Sequence, residues 1–178
     1  LALTEETENG VVIGPSWAPE QGPCPAYNVN NDLGLIKPMW EAYVEACDAL
    51  KISSEILQQV KYYLKNFPEY PNKDGEFLDS ASCKDFIMLN HPGLLAMVAP
   101  GNDVDADSPL CEMAKKTMHS YLHRTNRKSF SDRVSSACDL TWPWLCCIGL
   151  KLRDTEFVEH ILMDIGVSEY LKPNGFFA

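Results

Sequence analysis

A chain of 178 residues, 46% of them hydrophobic and 22% charged, has the make-up of a folded globular protein and excludes an intrinsically disordered one. A formal net charge of −10, with lysines and arginines scattered along the chain, gives no basic face to neutralise phosphates, which excludes nucleic acid as a partner. No apolar run approaches the roughly 18 residues that span a bilayer, and the longest, 140–150, is broken by Pro143, so no membrane span is expected.

The chain opens on LALTEETENG, which is polar and acidic and does not read as a signal peptide. A start at Leu instead of Met reads as processed or trimmed. That points to a secreted or extracellular location ahead of a cytoplasmic one, although no Asn-x-Ser/Thr acceptor supports it. Residues 1–37 carry Gly10, Gly14, Pro15, Pro19, Gly22, Pro23 and Pro25, too many breakers for a long regular element, and are expected to form an irregular arm.

From Pro38, suited to a first turn, Trp40, Tyr43, Val44, Cys47 and Leu50 recur at helical spacing. Ser53 is the candidate N-cap of a second helix with Ile56, Leu57, Val60, Tyr63, Leu64 and Phe67 on one stripe, stopped by Pro68. Residues 69–79 read as a loop, and 82–89 and 92–98 as two short helical pieces. An acidic loop, 103–108, precedes a helix opened by Pro109 that carries Leu110, Ala114, Met118, Tyr121 and Leu122. The basic cluster 123–128 reads as a link between helices, its cations at a helix C-terminus.

Ser131 is placed to cap a helix through Val134 and Cys138 toward Trp142-Pro143, and 144–152 is the expected centre of the core. Asp154 is placed to cap a last helix with Phe157, Val158, Ile161, Leu162 and Ile165, ended by Gly166. The pattern predicts one all-α domain over 1–178, an irregular bundle of six to seven helices with an arm (1–37), a helical body (38–166) and an irregular tail (167–178).

Seven cysteines are an odd number, so at least one is left over if the others form disulfides. Cys47, Cys138, Cys146 and Cys147 fall in helical patterns and read as small buried hydrophobes. Cys24 stands apart in Gly22-Pro23-Cys24-Pro25-Ala26-Tyr27-Asn28, held between two prolines with fixed φ. With Pro25 in the first turn of a helix, the sulfur would feel the positive end of the dipole, which favours a thiolate ligand or nucleophile. A loop cysteine in a disulfide, to Cys47 or Cys83, is the structural alternative.

Pro23-Cys24-Pro25, then a small residue and Asn28, resembles the proximal motif of the fungal heme-thiolate peroxidases, the chloroperoxidases and unspecific peroxygenases. The Gly/Pro-rich lead-in 14–22 and the amphipathic helix at 53–67 agree in outline with that family. The resemblance implies that Cys24 is the thiolate bound to heme iron, enabling peroxide-driven oxidation of a small-molecule substrate. It also implies a divalent cation beside the heme at the acidic loop, where Asp103, Asp105, Asp107 and Ser108 stand, although the family's Glu and downstream Arg are absent here.

Independently of the family, the alternating Asp103, Asp105 and Asp107 place three hard oxygens for Mg or Ca, and a solvated loop with Asp107 or Ser108 capping the next helix is the alternative. In the peroxidase reading that the resemblance implies, His91 is the candidate distal acid/base, with Glu112 the second candidate. His119 and His123, four apart, share a helix face that suits two imidazoles on a metal or two surface histidines. The function expected is a heme-thiolate peroxidase or peroxygenase. Its alternative is a non-enzymatic α-helical binding or effector protein, secreted or viral, with structural cysteines and a protein partner.

Overall fold

The computed structural model describes residues 3–8, 10–17, 24–83, 104–124 and 141–163, and the backbone alone for 121–124, 141 and 142. The elements in chain order are β1 (Thr4–Thr7), β2 (Gly10–Ile13), α1 (Asn30–Ala49), α2 (Glu55–Lys65), β3 (Asn72–Lys73), β4 (Glu76–Phe77), α3 (Cys111–Arg124), α4 (Thr141–Lys151) and α5 (Thr155–His160). Five helices and two antiparallel two-stranded sheets thus stand among the described residues. The fold is mixed α and β, which corrects the expected all-α bundle of six to seven helices. Of the helical pieces expected at 82–89 and 92–98, all beyond Cys83 lies outside the described residues, as do residues 131–140 of the helix expected from Ser131 and the tail 167–178.

The strands escape periodicity because they are two to four residues long. Their turns do carry a signal. β3 and β4 pair Asn72 with Phe77 and Lys73 with Glu76, leaving Asp74-Gly75 as a two-residue loop. Both turn residues have positive φ, 55° and 76°, as a tight hairpin requires. β1 and β2 pair Thr7 with Gly10, so residues 8–9 connect them within the arm that composition marked as irregular.

α1 begins eight residues before the expected Pro38, which sits inside the helix. Its start is fixed by Asn30. The backbone N–H donates to the Asp79 carbonyl at 2.9 Å, and the side-chain amide donates to the carbonyls of Leu78 and Pro71. α2 is capped by Ser54, not Ser53: its side chain accepts the Leu57 N–H at 3.1 Å. Asp154 caps α5 as expected, accepting the Phe157 N–H at 3.3 Å.

One core joins these elements. Leu33 of α1, Phe77 of β4, Met118 of α3, and Leu145, Ile148 and Leu152 from α4 and its end are completely or almost completely buried. Trp40 stacks on Tyr63 (5.9 Å) and meets Phe67 edge-on (6.1 Å), fastening α1 to α2. The buried Thr117 hydroxyl accepts the Phe77 N–H and donates to the Met113 carbonyl, both at 2.8 Å, seating the second hairpin on α3. No described helix is long and apolar enough to cross a membrane.

Candidate functional site

The Cys24 segment is fastened from both sides. Ser16 and Ala26 exchange backbone hydrogen bonds of 2.8 and 2.7 Å, pinning the loop against the strand that leaves β2. Two residues on, Asn28 donates its N–H to the Ile13 carbonyl and accepts the Ile13 N–H through its side-chain oxygen, both at 2.8 Å. Its φ of 48° is a conformation Asn tolerates better than most residues. From the opposite side, Ser82 Oγ accepts the Tyr27 N–H and the Ala81 N–H donates to the Tyr27 carbonyl, each at 3.0 Å. Ala26 and Val29 are buried beneath the turn.

Gly14 makes this closeness practicable. A Cβ there would lie 2.8 Å from the Tyr27 ring and 2.9 Å from the Ala26 carbonyl, and φ is 147°. Cys24 itself is exposed and is a free thiol. The Ser16–Ala26 bridge also sets exposed Trp17 across from exposed Pro25, beside the cysteine.

The expected helix N-terminus at Pro25 is not there. Ala26 belongs to a β-bridge, Asn28 is left-handed, and α1 starts only at Asn30. A helix dipole therefore does not act directly on the thiol. The chemistry of the donor still fits a heme ligand: a free, reachable sulfur on a fixed backbone, with Trp17 and Pro25 offering apolar surface next to it.

His91 and Asp103 lie outside the described residues. Glu112 stands exposed in the first turn of α3, 3.5 Å from Lys115.

The metal reading of the acidic loop is corrected. Asp107 faces the Arg153 guanidinium at 3.2 and 3.3 Å, and the Asp105 carboxylate accepts the Asp107 N–H at 2.9 Å. Ser108 Oγ donates to the Asp105 carbonyl at 3.1 Å, and the Ser108 carbonyl accepts the Cys111 N–H. The loop spends its oxygens on its own turn and on a cation of the chain, and it leads into α3. Among the described residues no three His, Cys, Asp or Glu side chains gather where a metal could be held.

The expected disulfides are also corrected, because all six described cysteines are free. Cys47, Cys111 and Cys146 are packed as small apolar groups, whereas Cys147 is exposed, not buried as expected. Burial, and then the neighbouring Cys147, push the Cys146 thiol from 9.0 up to about 11. Cys83 sits 3.2 Å from Ser80 Oγ, and Cys138 lies outside the described residues.

Sequence reasoning missed two arrangements. His119 Nε2 meets Asp154 Oδ2 at 2.7 Å and lies edge-on to Phe157 at 4.7 Å, so it ties α3 to the cap of α5. The second is a cleft of about 580 Å³ lined by Leu64, Phe67, Tyr70, Phe77 and Met113, with Lys37 and Lys65. Its described lining contains none of the expected site residues. Both join residues far apart in sequence, which periodicity does not register. No model of a known protein family matches the chain, and no curated protein matches it.

Proposed function

We propose that the chain is a heme-thiolate oxidoreductase of the peroxidase or peroxygenase kind, with Cys24 as the ligand to iron and peroxide as the oxidant. The observation that carries this reading is a free, exposed thiol on a loop fastened to β2 by Asn28 and to the 80–83 turn through Tyr27. A ligand to a prosthetic group must be unspent, reachable and held in place, and Cys24 meets all three conditions. Bound there, heme would supply peroxide-dependent oxidation of a small-molecule substrate. The chain's own part is to present the sulfur, keep its backbone fixed through Asn28, and offer Trp17 as a flat apolar neighbour.

Titrating the purified, reduced protein with hemin tests this reading. The wild type should take up one equivalent and become coloured, and Cys24→Ala should lose the thiolate-type spectrum while keeping its circular dichroism. A protein that stays colourless overturns the reading.

A second reading, a non-enzymatic binding protein, is favoured by the apolar face of α4 and α5. There Leu150, Leu162 and Met163 are exposed around a groove of about 330 Å³. It predicts no hemin uptake and a protein partner lost on Leu150→Asp.

A further inference from the structure

α1 carries a second apolar stripe beside the one that faces the core. Leu35, Met39, Ala42, Ala46 and Leu50 recur at spacings of three and four, and all are exposed, as is Tyr43 next to them. Three and four is the rhythm of a helix seam that packs on another helix. Ile56 of α2 extends the patch, sharing with Met39 and Tyr43 a groove of about 230 Å³ whose lining is entirely apolar or aromatic. Leu35, Met39, Leu50 and Ile56 are each more than half exposed. Together with Tyr43 and Ile52 they leave on the order of 600 Å² of apolar surface, close to the roughly 800 Å² per partner of a stable interface once the alanines are added.

The stripe is complementary to itself when reversed. With a two-fold axis between Ala42 and Tyr43, an antiparallel α1 from a second copy sets Leu35 against Leu50, Met39 against Ala46 and Ala42 against Tyr43. Two of these three pairings place a large side chain on a small one, as close helix packing needs. The charges agree as well. Asp32 lies in the first turn of α1 and Lys51 just past its end, so antiparallel copies bring opposite charges together at both ends, whereas parallel copies would align like with like. Glu41 and Asp48 lie on the other side of the helix, where Asp48 is held by Lys61 at 2.8 Å, and Glu45 borders the seam beside Ala42.

We propose that this face of α1 and α2 is the interface of a two-fold symmetric dimer, with a second copy of the chain as its occupant, through antiparallel packing of α1 on α1. Sedimentation velocity of the full chain under reducing conditions, which removes disulfide dimers through Cys24 or Cys147, tests it. The expected result is a species of twice the 20.0 kDa chain mass. Met39→Glu and Leu50→Glu should each raise the dissociation constant at least tenfold with the thermal melt of the monomer unchanged. Asp32→Lys should weaken the dimer, and adding Lys51→Asp in the same chain should restore it. A wild type that stays monomeric at high micromolar concentration overturns the proposal. So does a dimer indifferent to both glutamate substitutions, or a charge swap that fails to restore association.

Discussion

Asn28 spends its backbone N–H and its side-chain oxygen on one residue, Ile13, and adopts φ 48° to do so. Such an Asn stands in for a missing strand neighbour, so its place in the motif has a structural cause whatever the cysteine binds. Asn28→Ala removes one hydrogen bond, leaves the Ile13 N–H without that acceptor and puts a Cβ-bearing residue in an unfavourable region. The expected loss is about 1–2 kcal/mol in urea unfolding, and Asn28→Gly, which accepts the same φ, should lose less. Equal losses would mean that the left-handed backbone contributes nothing.

Cys146 gives a pH dependence whose sign is fixed. Its thiol is held up at about 11 against 9.0, so between those values the unfolded chain has released a proton that the folded chain keeps. Stability therefore falls as pH rises through that window, and this group has no effect below it. Unfolding measured on both sides of the window should show a decline that Cys146→Ala reduces. An unchanged decline would assign it to other groups.

α4 and α5 pack closely at Gly149. A Cβ built on Gly149 would fall 2.6 Å from Val158 Cγ2 and 3.4 Å from the Phe157 ring. Gly→Ala inside a helix ordinarily stabilises by about 1 kcal/mol, but overpacking a buried contact costs about 1–3 kcal/mol. The overlap here is with a branched, buried side chain, so the packing term wins and Gly149→Ala should lower the melting temperature. A rise would show that α5 shifts without penalty.

The same scale shows what periodicity reads and what it does not. α5 was legible because apolar spacing and a capping Asp coincide, and α2 through its apolar spacing, its cap falling one residue later than expected, at Ser54. The true start of α1 was hidden because Pro38 mimics a first turn, while the anchor, Asn30, takes its partners from Pro71, Leu78 and Asp79 about 40 to 50 residues away. Asp74-Gly75 was the available signal for β3 and β4, and strands of two residues gave it nothing to flank.

At the scale of the whole molecule, one core draws on both faces of the chain order, from Val11 and Ile13 of β2 to Ile161 beyond α5. This is why β2, in the arm that composition marked as irregular, is built into the body, while the Cys24 turn is tied to it by the Ser16–Ala26 and Ile13–Asn28 hydrogen bonds over the smaller pair Ala26 and Val29. The cysteine was legible from its two prolines. What fastens it, Ile13, Ser16 and the 80–83 turn, was not, since those contacts span up to 55 residues. The acidic loop was misread because Arg153, its counter-charge, is 46 residues away. Ligation of heme iron by Cys24 is tested most directly by the ferrous–CO spectrum of the hemin-loaded protein. A strongly red-shifted Soret band, absent in Cys24→Ala, is the result predicted. An unshifted band, or no bound heme, would contradict it.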